Sequence, residues 1–67
     1  VWEMTVGAMR DTEIDEVFVV IAGDATVEFV SPALDAVELA PGAVVRLSAG
    51  MQTVWTVRET LRKIYLA

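Results

Sequence analysis

The sequence contains no cysteine and no histidine among its 67 residues. Disulfide bonds are therefore excluded within it, and so are zinc or haem sites that use thiolate or imidazole ligands. The Ser-His and Cys-His pairs that activate a nucleophile are excluded for the same reason. Chemistry in this chain depends on carboxylates, hydroxyls, aromatic rings and a few basic side chains.

Basic residues are also few, five against ten acidic residues, which gives a formal net charge of −5. They are scattered along the chain and form no basic stripe: Arg10, Arg46, Arg58, Arg62 and Lys63. Because nucleic-acid phosphates select clustered lysine and arginine, we expect no nucleic-acid partner. No apolar run approaches the roughly 18 residues of a membrane span, and no signal-peptide pattern is visible. We therefore expect no membrane segment and a cytoplasmic location.

Hydrophobic residues make up 55% of the chain, which is high for one small domain. Residues 1–67 suffice for a single domain with a marginal core. The excess of apolar side chains predicts cover from a second copy, hence a homodimer, or from missing chain. The sequence starts at Val1 inside a strand-like run, so we expect that an N-terminal portion of the domain is absent.

Turn signals divide the chain into about seven short β-type segments, which predicts an all-β sandwich or barrel. The predicted strands are Val1–Val6, Val17–Ile21, Thr26–Val30, Val37–Leu39, Ala43–Leu47, Gln52–Val57 and Arg62–Leu66. The continuous apolar run Val17–Ile21 is typical of a strand buried on both faces. Ala22–Ala25 contains Gly23 and Asp24 and predicts a tight hairpin turn. A short helix near Glu59–Tyr65 is the competing interpretation.

Three motifs follow one another with a fixed spacing. Six residues separate Glu16 from Gly23, and seven separate Gly42 from Gly50. The segment TVWTVRETLRKIYL then begins at Thr53. In this order the motifs resemble the cupin superfamily, in particular the small cupins related to ureidoglycine aminohydrolase. The matching residues are Asp15, Glu16, Gly23, Pro41, Gly42, Ala49, Gly50, Thr53, Trp55, Val57, Glu59, Thr60, Arg62, Lys63 and Tyr65. The resemblance implies a cupin-type double-stranded β-helix, a small β-barrel, over nearly the whole chain.

The same resemblance implies a metal site, whose ligands in metal-binding cupins are three histidines and one glutamate. The first two histidine positions fall on Arg10 and Thr12, or on Met9 and Asp11, depending on the spacing counted. The third histidine position is Thr53, and only the glutamate, Glu16, is retained. We therefore predict no bound metal and no cofactor.

Glu16 is the best candidate for a catalytic group, because the resemblance implies an interior position, where a carboxylate needs a partner. It would act as a general base or accept hydrogen bonds from a ligand. The alternative is a structural carboxylate that pairs with Arg10 or with backbone amides. The surrounding acidic stretch Asp11–Glu16 does not have calcium-loop spacing, and we interpret it as a solvated charge run.

The predicted ligand-binding residues are Arg10, Glu16, Thr53, Trp55 and Tyr65. Alternation within Gln52–Val57 places Thr53, Trp55 and Val57 on one face of a strand. Aromatic walls with a few polar groups suit a small organic ligand, although Trp55 and Tyr65 could equally be core side chains. The basic side chains near the C-terminus are interpreted as a soluble strand edge rather than an anion site: Arg58, Arg62 and Lys63.

The resulting functional hypothesis is a metal-free small cupin that binds a small polar metabolite, such as a sugar or an amide, in its barrel. One alternative is an enzyme that resembles the (S)-ureidoglycine aminohydrolase type of cupin. The other alternative is a structural or dimerisation module.

Overall fold

The computed structural model describes the backbone of residues 2–66 and the side chains of residues 3–66. Val1, the predicted start of the first strand, lies outside the described residues. The strands are β1 (Trp2–Met4), β2 (Gly7–Thr12), β3 (Glu16–Ser31), β4 (Val37–Leu39), β5 (Val44–Leu47) and β6 (Gln52–Tyr65). The all-β prediction is confirmed, and the helix over 59–65 is wrong because β6 runs through it. No helix in residues 2–66 could cross a membrane.

Two long strands, β3 and β6, organise the sheet. They pair antiparallel with each other from Phe18 opposite Tyr65 to Ser31 opposite Gln52. The other edge of β6 pairs with β1 and then with β2. The other edge of β3 pairs with β5 at its start and with β4 further along. The sheet therefore curls around one interior, with β6 bonded on both edges.

The predicted turn at Ala22–Ala25 is wrong, because β3 continues through it as an irregular strand. The pairing with β6 shifts register several times between Val20 and Ala25. Gly23 has φ +103°, and a Cβ added there would lie 2.3 Å from the carbonyl oxygen of Thr60. Glycine marks a bulge and a close backbone approach as readily as a turn. Gly23 and Asp24 are residue types typical of a turn, but here they form a bulge instead of a hairpin.

A second difference concerns the region between the first and third strands. The charged stretch Asp11–Glu16 is suited to a loop or to the entrance of a strand. β3 does begin at Glu16, but β2, which was not predicted, also extends to Thr12. Every residue of β2 is exposed. The strand therefore has no apolar alternation by which it could be recognised.

The core is a single cluster of side chains from all strands except β2: Met4, Phe18, Val20, Ala25, Val27, Leu39, Val45, Leu47, Trp55, Val57 and Leu61. The predicted common face of Thr53, Trp55 and Val57 is confirmed, and it is the inward face, since all three are buried. Val17–Ile21 is not buried on both faces as predicted, because Ile21 is 40% exposed.

Candidate functional site

A cavity of about 270 Å³ opens between β2, β6 and the segment that joins β2 to β3. Its ionisable wall residues are Asp11, Glu13, Glu16, Lys63 and Tyr65. Three carboxylates thus face one ammonium and one phenol. Trp55, Ile14 and two methionines supply the apolar part of the wall.

Lys63 is the most unusual residue of this wall, because its side chain is only 4% exposed. It continues the inward alternation of β6 that begins at Thr53. Its Nζ atom lies 4.2 Å from the centre of the Phe18 ring and 4.6 Å from that of Trp55. Aromatic faces attract cations at such distances. The predicted soluble edge is therefore wrong for Lys63. Arg58 and Arg62 are exposed and pair with Asp24 and Glu3 on the surface.

Lys63 and Glu16 form a buried pair, with 4.0 Å between Nζ and Oε1. Burial lowers the pKa of Lys63 below its ordinary value of 10.5, although the acidic neighbours Glu16, Glu13 and Asp11 oppose that shift. Burial also raises the pKa of Glu16 above 4.5, against the opposing charge of Lys63. Both shifts favour the neutral forms, as expected where desolvation exceeds the mutual attraction.

Tyr65 stands at the exposed side of this pair. Tyr65 is 45% exposed, and the centre of its ring lies 5.5 Å from Lys63 Nζ. Burial of its hydroxyl, followed by the charge of Glu16, raises the pKa of Tyr65 above 10.0. The phenol therefore stays protonated near neutral pH and can donate a hydrogen bond into the cavity.

Glu13 is the functional residue that sequence reasoning missed. It is 6% exposed, and its Oε2 accepts hydrogen bonds from Thr53 Oγ1 at 2.6 Å and Trp55 Nε1 at 3.1 Å. Its backbone is bonded to Met51 and Gly50, which fixes the segment between β2 and β3. The interpretation as a solvated charge run is wrong for Glu13 and for the largely buried Glu16. The sequence did contain a signal for a buried acceptor such as Glu13. Thr53 and Trp55 carry hydrogen-bond donors, and donors that point inward require an acceptor.

The five predicted ligand-binding residues do not share one cavity. Glu16, Trp55 and Tyr65 line the cavity described above. Arg10 and Thr53 line a second, more open cavity of about 420 Å³. Arg10 is exposed on β2, and the described ion pair of Glu16 is with Lys63 rather than with Arg10.

The donor set does not fit the transition metal that the cupin resemblance implies. The ammonium of Lys63 stands beside the retained carboxylate, Glu16. The hydroxyl of Thr53, at a histidine position, donates to Glu13. Within residues 2–66, no group of three or more acidic side chains is arranged to hold a metal ion. We therefore derive no chemistry through such a metal.

Comparison with known proteins resolves the family. The family model of the EutQ-like cupin domain matches residues 1–65. The chain belongs to the EutQ-like cupin family. Membership confirms the predicted small cupin and its β-barrel architecture. A search of the curated proteins gave no match.

Two crystal structures share the fold of this EutQ-like cupin. One is a protein of unknown function (DUF1255) from Acidithiobacillus ferrooxidans, with a TM-score of 0.86 and 23% identity over 97% of this chain. The other is a DUF861 family protein from Thermotoga maritima, with a TM-score of 0.83 and 23% identity over 96% of this chain. The chain spans 61% of the first protein and 72% of the second. At this identity the likeness establishes the fold alone.

Proposed function

We propose that this cupin domain binds a small metabolite rich in hydroxyl or amine groups, in the 270 Å³ cavity and without a transition metal. The observation that carries the proposal is the buried Lys63–Glu16 pair in the cavity wall. Cytoplasmic location and homodimer formation remain predictions, the latter supported by exposed Val6, Ile14 and Val44.

The buried pair is poorly explained by stability. Replacing a buried ion pair by well-packed apolar residues is often neutral or stabilising. A chain of 67 residues has little stability to spare. Desolvated titratable groups that face a cavity are, by contrast, typical of binding and catalytic sites.

The charges of the wall define the class of ligand. Asp11 and Glu16 present acceptors to the cavity, while Glu13 is engaged by Thr53 and Trp55. Carboxylates outnumber the ammonium, so an anionic ligand is disfavoured. The volume lies just below the roughly 300–1,000 Å³ of pockets for drug-sized ligands, which indicates a ligand of few carbons. The rings of Trp55 and Tyr65 offer apolar faces to its C–H groups.

A matched series of three-carbon compounds tests this assignment. Glycerol is neutral, serinol is cationic and glycerate is anionic, while all three carry hydroxyl groups. In NMR titrations we expect glycerol and serinol to shift the indole N–H of Trp55 and the ring signals of Tyr65. Glycerate should shift neither at the same concentration. Equal shifts for all three compounds, or none for any, would refute the proposal.

Two variants localise the response. Glu16→Gln removes one of the three carboxylates of the cavity but keeps the size of the side chain, and we expect it to weaken the binding of serinol more than that of glycerol. Asp35→Asn removes a charge from an exposed residue outside both described cavities. It should leave both titrations unchanged, and a matching effect of the two variants would indicate a general charge effect instead of a site.

A further inference from the structure

Lys63 is the only lysine in the sequence, and it is placed in the interior of the barrel. A side chain that needed only a positive charge could be placed on the surface, as the four arginines show. Arg10, Arg46, Arg58 and Arg62 are all exposed. Lys63 instead belongs to the lining of the cavity, so a small molecule that occupies the cavity would lie beside this residue.

We propose that Lys63 reacts with a small neutral aldehyde in this cavity and holds it as an imine. The proposal rests on the proposed function, since it names a carbonyl group as the reactive part of the polar ligand. Lysine forms imines when its amine is desolvated in an apolar pocket and a proton carrier stands nearby. Both conditions are met by named neighbours.

The desolvating neighbours are the rings of Phe18 and Trp55, 4.2 and 4.6 Å from Nζ. Burial among them lowers the pKa of the amine, which increases the neutral, nucleophilic fraction. The same ring faces would stabilise the cationic iminium product, because a cation above an aromatic ring is favourable. The site therefore suits both the reactant amine and the charged adduct.

Glu16 is the proton carrier. Its Oε1 lies 4.0 Å from Nζ, a separation that one small movement or one water can close. The raised pKa of Glu16 brings it nearer to neutral pH, where it can both accept and return a proton.

The reaction balances without a further reagent. Glu16 takes a proton from the ammonium, and the nitrogen lone pair attacks the carbonyl carbon. The C=O π pair moves to oxygen, which is protonated to give a carbinolamine. Loss of a second N–H proton and protonation of the hydroxyl then release water as the C=N bond forms. One ammonium and one aldehyde thus give one iminium and one water.

The charge of the cavity predicts which aldehydes react. Asp11, Glu13 and Glu16 share the cavity wall with Lys63, so a carbonyl compound that carries its own carboxylate is repelled. Glycolaldehyde and glyoxylate form a matched pair, because each has two carbons and one aldehyde. The first is neutral and the second anionic. We expect Lys63 to select glycolaldehyde.

Reductive trapping tests the proposal. The protein is incubated at pH 7 with glycolaldehyde or glyoxylate and sodium cyanoborohydride. Cleavage after Glu59 then separates Lys63 from the α-amino group for mass spectrometry. The same protein unfolded in guanidinium chloride provides the reference rate for an ordinary lysine. We expect glycolaldehyde to label Lys63 about 100-fold faster in the folded protein, the lower end of general acid–base assistance.

Glu16→Gln should remove most of that acceleration, whereas Asp35→Asn should retain it. Labelling that is slower in the folded than in the unfolded protein, or equal for the two aldehydes, overturns the proposal. If trapping fails while glycerol and serinol still shift Trp55, the imine is rejected and the binding function stands. If both fail, both are rejected. Circular dichroism of each variant establishes that the labelled protein is folded.

Discussion

Glu13 accepts a hydrogen bond from the indole of Trp55, with 3.1 Å between Oε2 and Nε1, in the interior of the barrel. The same oxygen accepts from Thr53 at 2.6 Å. A residue from the segment between two strands therefore satisfies two donors that β6 directs inward. The contact joins the cavity wall to the core, because Trp55 belongs to both.

Replacement of Glu13 by alanine should destabilise the domain by about 2 kcal/mol, since buried donors lose a charged acceptor. Glu13→Gln keeps an acceptor oxygen and should cost about 1 kcal/mol. Urea unfolding monitored by intrinsic tryptophan fluorescence measures both values. The control Asp35→Ala should lie within about 0.5 kcal/mol of the wild type. Equal stability of the Glu13→Ala variant and the wild type would show that these bonds contribute nothing.

The Lys63–Glu16 pair should behave non-additively. Lys63→Met leaves Glu16 desolvated without its cation, and we expect a loss of about 2 kcal/mol at pH 7. Adding Glu16→Gln removes the unpaired charge and should restore at least about 1 kcal/mol. A double-mutant cycle by chemical unfolding measures the coupling. Additive single-site effects would mean that the two groups do not interact.

Stability should also rise with pH on the alkaline side. The pKa of Lys63 is lowered in the folded protein, so the unfolded chain binds more protons between that pKa and 10.5. Within this window the free energy of unfolding increases with pH. The contribution of Tyr65 to the pH dependence has the opposite sign. Because the pKa of Tyr65 is raised in the folded protein, this contribution lowers the free energy of unfolding as the pH rises above 10.0. Thermal unfolding from pH 7 to 10 checks the rise, and Lys63→Met should abolish it; a rise that persists in that variant has another origin.

Gly23 should tolerate no side chain. An added Cβ would meet the Thr60 carbonyl oxygen at 2.3 Å, and φ is +103°. Gly23→Ala should therefore cost about 3 kcal/mol, the upper range for overpacking. Gly42 has φ +95° but open space around it, so Gly42→Ala should cost only about 1 kcal/mol. Comparable losses in the two variants would indicate that backbone strain, not the contact with β6, decides the effect.

The interior of β6 was predictable because its alternation is local. Thr53, Trp55 and Val57 repeat with period two, and so do Leu61 and Lys63 further along. The prediction of a soluble edge failed for Lys63 because lysine side chains are usually exposed, whereas the place of Lys63 in that repeat directs it inward. The family resemblance depended on the order of glycines, Glu16 and the β6 motif, which survives without the metal ligands.

The paths of β2 and β3 were not predictable from local patterns. β2 is stabilised by pairing with β6 rather than by its own apolar side chains, so Gly7–Thr12 carries no strand signal. The turn residues at 22–25 are compatible with either a hairpin or a bulge. Only the pairing of Ala22 with Arg62 and of Asp24 with Glu59, and the close approach of Gly23 to Thr60, decide between them. Both outcomes depend on contacts distant in sequence.

The position of β6 has a consequence for synthesis of the chain. It is the last of the six strands, yet it is the one to which β1, β2 and β3 all pair. While a ribosome is still making residues 52–65, β1 and β2 have no partner and one edge of β3 is open. Such long-range pairing folds slowly and leaves strand edges exposed meanwhile. The pairing of the described strands should therefore be completed only after β6 emerges.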